Sequence, residues 1–263
     1  MEERKNATAV IQVRKLCKDY IMGEERVVAL RNINLDVYKG EILCIFGTSG
    51  SGKSTLLNQL AGLEPPSYGA VKICGVPISS LNENELAAFR QEHIGFVFQS
   101  YNLLPHLTAL ENVAMPLIFK GVPKELRDTE ARKMLYRVGL GNRLKHFPGQ
   151  MSGGQQQRAG IARAFIARPD VVFADEPTGN LDSKTTKEVM QMIHDFARRF
   201  NQTIVLVSHD PEMTAYADRI VTLIDGEIVS DVINKDSDRY AQEAAMLGRM
   251  NENIEEKGKD ERK

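Results

Sequence analysis

The sequence predicts an open α/β sheet, mostly parallel, with its ligand beyond the carboxyl ends of the strands. Apolar runs of strand length recur at residues 41–46, 93–98, 171–174 and 203–207. They are apolar on both sides, the pattern of strands covered on two faces. Each stops at a polar or turn signal: a Gly/Ser-rich loop, Gln99, the acids Asp175-Glu176, and Ser208-His209-Asp210. Helical segments at 53–61 and Ser183–Phe200 lie between the runs. In the second, Val189, Met190, Ile193, Ala197 and Phe200 share one face at helical spacing.

The remaining elements depart from simple strand–helix alternation. Residues 8–38 carry alternating stretches bearing Tyr, Val and Ile, which predict a small antiparallel sheet. Residues 101–150 read as helical with no strand. Thr108 and Glu111 form a capping box before a helix at 112–119, and a second helix spans 124–138. This predicts a helical lobe inserted in the core, at about 100–162. Near the end, 219–224, Asp225-Gly226 and 227–229 read as a hairpin with its turn. Residues 8–242 are expected to form one domain. The charged tail at 243–263 is expected to be disordered; from 251 it mixes charges densely and has one Ile and no other large apolar residue.

Composition narrows the function classes. In 263 residues, 42% are hydrophobic and 26% charged, ordinary for a globular chain with a core. A formal net charge of -1 offers no basic surplus for a nucleic-acid backbone. No apolar run approaches the roughly 20 residues that span a bilayer, and residues 1–5 are charged with no apolar stretch behind them. The three cysteines, Cys17, Cys44 and Cys74, are widely spaced and suggest neither a disulfide framework nor a metal site; Cys44 reads as a small packed hydrophobe. Together these predict a cytoplasmic protein.

Chemistry is concentrated in three places. Gly47-Thr48-Ser49-Gly50-Ser51-Gly52-Lys53-Ser54, followed by Thr55, matches the phosphate-binding P-loop. Its glycines let successive backbone N–H groups converge on phosphate oxygens, and the following helix offers its positive end to the same anion. Lys53 is expected to neutralise the β- and γ-phosphates and the Ser54 hydroxyl to ligate Mg²⁺. The apolar strand ending in Asp175-Glu176 delivers one carboxylate to that magnesium and a second, Glu176, toward a water attacking the γ-phosphate. Third, Met151-Ser152-Gly153-Gly154-Gln155 opens a helix. Ser152 and Gln155 suit a capping box, which a plain helix start would also show, but the paired glycines leave room for a close backbone approach. A second anion-binding helix start without a lysine suggests that it serves a neighbouring chain's nucleotide.

The ordered set of P-loop, Gln99, Met151-Ser-Gly-Gly-Gln, Asp175-Glu176, Asn180-Leu-Asp182 and His209 resembles the ATP-binding cassette (ABC) ATPase family over about residues 20–229. The resemblance implies a RecA-like P-loop core with a small antiparallel β subdomain and an inserted α-helical subdomain. It implies ATP and Mg²⁺ as cofactors, and a homodimer closing head to tail on ATP. Ser152, Gly153, Gly154 and Gln155 would then contact the nucleotide in trans. Tyr20 would stack on adenine, Gln99 would sense Mg²⁺ and the attacking water, His209 would contact the γ-phosphate, and Asp182 would work across the interface. Met151 stands where leucine is usual, a near-isovolumetric swap. Segments 98–105, 107–112 and 175–182 are most similar to the branch that includes the macrolide and lipoprotein exporters MacB and LolD. That branch implies a separate integral membrane permease with an extracytoplasmic domain, docking beside Gln99 and the lobe around Leu103, Leu104 and 107–112. The ATPase would sit peripherally on the inner face of the membrane. Rival readings are a regulatory or mechanotransducing ATPase of the same branch and a nucleic-acid-directed ABC ATPase. A P-loop GTPase or kinase is disfavoured because no Asn-Lys-x-Asp motif occurs.

Overall fold

The computed structural model describes residues 8–23 and 25–234. The charged tail and the last residues of the expected domain lie outside them. The strands are β1 (Ala9–Met22), β2 (Glu25–Tyr38), β3 (Ile42–Phe46), β4 (Tyr68–Ile73), β5 (Val76–Pro77), β6 (Ile94–Val97), β7 (Val171–Asp175), β8 (Thr203–Ser208), β9 (Arg219–Ile224) and β10 (Glu227–Ile233). The helices are α1 (Lys53–Leu60), α2 (Glu83–His93), α3 (Ala109–Phe119), α4 (Lys124–Arg137), α5 (Gly153–Ile166), α6 (Ser183–Phe200) and α7 (Pro211–Thr214).

Six strands form the central sheet in the order β10-β9-β3-β8-β7-β6. Every pairing from β9 to β6 is parallel, and only β10 returns antiparallel, across the Asp225-Gly226 turn. Successive residues of the parallel strands enter opposite cores, which is why the runs are apolar throughout. Ile42, Cys44, Val172, Ala174, Ile204 and Leu206 pack against the helical side with α3, α4, α5 and α6. Leu43, Ile45, Val171, Phe173, Val205 and Val207 pack on the other side against α1 and the antiparallel sheet. On the helical side Cys44 is fully buried as a small hydrophobe, and burial pushes its thiol up to about 12.

The antiparallel sheet runs β2-β1-β4-β5. β1 and β2 pair along their length with register shifts, and Lys15 and Asn32 at positive φ mark the irregularities. The helical lobe is built as expected. α3 starts on a complete Thr108–Glu111 capping box, α4 follows, and Phe165 of α5 packs edge-on against Phe196 of α6 at 5.3 Å. β4, β5 and α2 had no counterpart in the expected elements.

Parallel strands place their carboxyl ends on one side of the sheet. The P-loop follows β3, Asp175-Glu176 ends β7, and His209 follows β8. The site is therefore built from three adjacent strand ends.

Candidate nucleotide site

The P-loop is pinned from below. Gly226 N–H donates to Ser51 O (3.0 Å) and Arg31 N–H to Gly226 O (2.8 Å), so the β9–β10 turn and β2 support the loop. Gly226 has φ +79, and a Cβ there would stand 2.6 Å from Ala29 O; only glycine fits. Gly47 is tighter still, with the carbonyl of Leu223 2.3 Å from where its Cβ would be. Helix α1 begins at Gly52 (φ 100) with no side-chain cap and no acidic residue in its first turn. Helices α2, α3, α5 and α6 all have side-chain caps. An uncapped helix start has free N–H groups and a positive end, the requirement for an anion.

Lys53 is buried, its Nζ donating to Thr48 O at 2.7 Å across the curl of the loop. Ser51 is 3% exposed, and among the described residues its Oγ finds no hydrogen-bond partner. A buried hydroxyl left unpaired costs about 1–3 kcal/mol unless a ligand completes it. Ser54 Oγ donates to Asp175 Oδ1 at 3.3 Å. Burial pushes the Asp175 carboxyl above its ordinary range and the Glu176 charge adds to this, against the Ser54 hydrogen bond and Lys53. A cation between Ser54 and Asp175 would reverse that balance. Hydroxyl and carboxylate oxygens are the hard donors that Mg²⁺ takes, so the residues present fit the ion.

A cleft of about 560 Å³ opens over this loop, lined by Ser49, Gly50, Gly52, Lys53, Ser54, Thr55 and Glu176, and walled by β2 and the β9–β10 turn. The wall residues Val27, Val28, Ala29, Arg31, Asp225 and Gly226 were not foreseen. The Asp225-Gly226 turn was legible as a turn, but nothing in its spacing ties it to the P-loop. Glu176 also borders a second cavity of about 300 Å³, with His209, Asp210 and Leu181. Glu176 is held at φ +41, its N–H donating to Val207 O (3.0 Å), and its Oε1 lies 2.8 Å from His209 Nδ1. Strain of this kind costs about 1–3 kcal/mol and collects at functional sites.

Other expected residues stand around the cleft. Tyr20 is outside its lining. The Tyr20 hydroxyl donates to Glu64 Oε2 at 2.7 Å and Lys18 sits 5.1 Å over its ring. Burial, then the Glu64 hydrogen bond, pushes that hydroxyl above its usual range. Gln99 reaches the loop after β7, because Asn180 donates to its backbone carbonyl at 3.2 Å and Gly179 leaves room for its amide. Asp182 caps α6, accepting from Lys184 N–H, Thr185 N–H and the Thr185 hydroxyl, which holds its carboxyl below the usual range. Ser152 and Gln155 form the complete capping box of α5. The paired glycines admit close neighbours within the chain: a Cβ on Gly153 would meet the Tyr101 hydroxyl at 2.7 Å, and one on Gly154 the Thr185 methyl at 2.7 Å. None of residues 151–155 lines the cleft over Lys53.

The strand-end loop, the buried lysine and the paired acids define a P-loop nucleoside-triphosphate-binding domain. The family model for "ABC transporter" matches residues 30–179, and the chain belongs to the ABC transporter family. An uncharacterized ABC transporter ATP-binding protein, MJ1508 of Methanocaldococcus jannaschii, is 49% identical over 226 residues, covering 86% of this chain and all of that relative. The macrolide export ATP-binding/permease protein MacB of Pasteurella multocida is 46% identical over 222 residues, 84% of this chain and 34% of its own length. The probable syringafactin export protein SyfD of Pseudomonas syringae is 45% identical, covering 87% of this chain and 35% of the relative. The chain thus spans about a third of the length of the exporters it matches. A solved dimeric post-hydrolysis cassette, MJ0796 bound to ADP and Pi, superposes with a TM-score of 0.80 at 42% identity, over 85% of this chain and 98% of that one. This agrees with the expected RecA-like fold with its antiparallel and helical subdomains.

Proposed function

We propose that this chain is the ATP-binding and ATP-hydrolysing subunit of an ABC transporter of the MacB/LolD-like branch, closing as a homodimer around two ATP molecules to drive a separate membrane permease. One observation carries the reading. The cleft over Lys53 holds the P-loop and Glu176 but not the Ser152–Gln155 helix start, so half of each nucleotide site is left for a second chain to supply.

In this arrangement the Gly47–Gly52 backbone, Ser51 and Lys53 bind the phosphates, and Thr55 continues the loop into α1. Ser54 and Asp175, with Gln99 from the neighbouring strand end, would hold Mg²⁺, which neutralises the charge shared by the β- and γ-phosphates. Glu176 takes the proton from the water that attacks the γ-phosphorus as the bond to the bridging oxygen breaks. His209, 2.8 Å away, orients that carboxylate. Tyr20 presents its ring to the base from the edge of the cleft. Ser152, Gly153, Gly154 and Gln155 meet the partner's nucleotide, and Asp182 lies at the seam between chains. Residues 8–242 act as one cassette, with the lobe at about 100–162.

A largely apolar groove of about 400 Å³ lies between α2, β6, α3 and α5, lined among others by Phe96, Phe98, Met115, Pro116 and Phe119. Phe119 is 64% exposed. Such a groove suits an amphipathic helix of the permease. It lies beside the region expected from sequence. Asn112, expected at the docking edge, is instead buried and bonded to the backbone of Leu104, Leu107 and Thr108. Among the described residues no helix is long and apolar enough to cross a membrane. On the MacB/LolD-like reading the subunit would act at the inner membrane face beneath a permease bearing an extracytoplasmic domain; a nucleic-acid partner is not expected at a net charge of -1.

The test is Glu176→Gln, which removes the base and keeps the shape. General-base loss lowers hydrolysis about 100- to 10,000-fold, while ATP binding persists and an ATP-dependent dimer accumulates on sizing chromatography. Near-normal turnover would reject the assignment of Glu176. Lys53→Ala should lose ATP affinity by calorimetry.

A further inference from the structure

Far from the nucleotide, at the opposite ends of β6 and β7, a thiol, an imidazole and a carboxylate converge. Cys74 sits in the β4–β5 turn, His93 ends α2 and directly precedes β6, and Asp170 directly precedes β7. One ligand atom from each lies within 4.8 Å of the other two, and His93 Nδ1 is 2.7 Å from Asp170 Oδ2. We propose that Cys74, His93 and Asp170 bind one borderline divalent cation of the zinc class.

The donor set argues for the class of ion. One sulfur, one nitrogen and one oxygen donor select Zn²⁺ or Co²⁺ over Mg²⁺, which prefers oxygen alone. A tetrahedral cation with bonds of about 2.0–2.3 Å sets its ligand atoms about 3.3–3.8 Å apart, so side-chain shifts of about 1 Å suffice. Charge agrees as well: a thiolate and a carboxylate balance a divalent ion, and binding releases the Cys74 proton to solvent.

The three ligands are also held in place by backbone that does not depend on an ion. Asp170 N–H donates to His93 O (3.0 Å), and Cys74 N–H to Val10 O (2.8 Å). Buried Gln202 donates to Pro169 O at 2.8 Å, fixing the loop that carries Asp170. The Phe89 ring packs 4.5 Å from the His93 ring. Cys74 and Gly75 both have positive φ between the paired Ile73 and Val76. That two-residue turn ordinarily takes Asn-Gly, because non-glycine residues resist positive φ; here a cysteine occupies the strained position. The His93 and Asp170 side chains are 29% and 47% exposed, which leaves an entry path and room for a water as fourth ligand. Bound there, the ion would tie the antiparallel sheet to the feet of two core strands.

The experiment uses the full chain, stripped by chelator and titrated with Co²⁺. The expected result is a thiolate-to-cobalt charge-transfer band in the near ultraviolet that saturates at one Co²⁺ per chain, is displaced by Zn²⁺ and survives excess Mg²⁺. Cys74→Ser abolishes the band while the circular dichroism spectrum stays native, whereas Cys17→Ser leaves it intact. His93→Gln and Asp170→Asn each weaken Co²⁺ binding at least about 10-fold, and Zn²⁺ raises the unfolding midpoint of the wild type but not of Cys74→Ser. No band at stoichiometric Co²⁺ overturns the proposal, as does a band that persists in Cys74→Ser. Unchanged affinity in both His93→Gln and Asp170→Asn overturns it too, by reducing the site to a lone thiol.

Discussion

Adding one methyl group at Gly47 probes how the P-loop is held. In the structure that methyl carbon would lie 2.3 Å from Leu223 O and 2.7 Å from Ser51 Oγ, about 1 Å inside ordinary contact with a backbone atom. Leu223 is fully buried in the core strand β9, so the loop yields rather than the strand. Overpacking of this size costs about 1–3 kcal/mol of stability. A loop moved by about 1 Å also loses at least one charge-assisted hydrogen bond to phosphate, about 1.5–3 kcal/mol, or about 10- to 150-fold in ATP affinity. Gly50→Ala is the control. Its Cβ meets nothing within 4 Å, and only the strain of φ +80 remains, about 1–2 kcal/mol. Urea unfolding and ATP calorimetry on both variants give the comparison. Wild-type ATP affinity in Gly47→Ala, or equal losses in the two variants, would refute the claim that close packing against β9 shapes the phosphate cradle.

Two further perturbations address the scaffold. Phe165→Ala removes a fully buried ring that packs against Phe196, and should cost about 3–5 kcal/mol in denaturant unfolding; a loss under 1 kcal/mol would contradict the described core. Thr108→Ala removes the cap of α3, at about 1 kcal/mol. In the wild type the Thr108 hydroxyl, then its N–H, holds the Glu111 carboxyl below its ordinary value of 4.5. A depressed carboxyl contributes stability above that value and loses it as pH falls through the folded value. The acid limb of the unfolding midpoint should therefore flatten in Thr108→Ala; an unchanged limb would show that the cap is not coupled to Glu111.

Legibility in the sequence followed the physics of each element. Helix α6 was readable over its full Ser183–Phe200 span because it buries one broad face and carries a cap at Asp182. The parallel strands were readable because both their faces are covered. Helix α2 escaped because Phe89 alone is buried, leaving a faint period. β4 escaped because only Val71 and Ile73 point inward. At the site, the P-loop, Asp175 and Glu176 are local patterns and were legible. The support from Gly226 and Arg31 was not, because it joins segments nearly 200 residues apart through backbone atoms that carry no side-chain signature. Cys74, His93 and Asp170 escaped in the same way: widely spaced cysteines suggested no metal site, and only the fold brings the three residues together.

Since the Lys53 cleft lacks the Ser152 helix start, shared nucleotide sites are the claim on which the account rests. The direct measurement places cysteines at Ser49 of one chain and Ser152 of another, in a Glu176→Gln background with Cys17 and Cys74 replaced by serine, and applies a short bifunctional maleimide. ATP should produce a covalent dimer that is absent without nucleotide and in Lys53→Ala. Monomers alone in the presence of saturating ATP would contradict a nucleotide clasped between two chains.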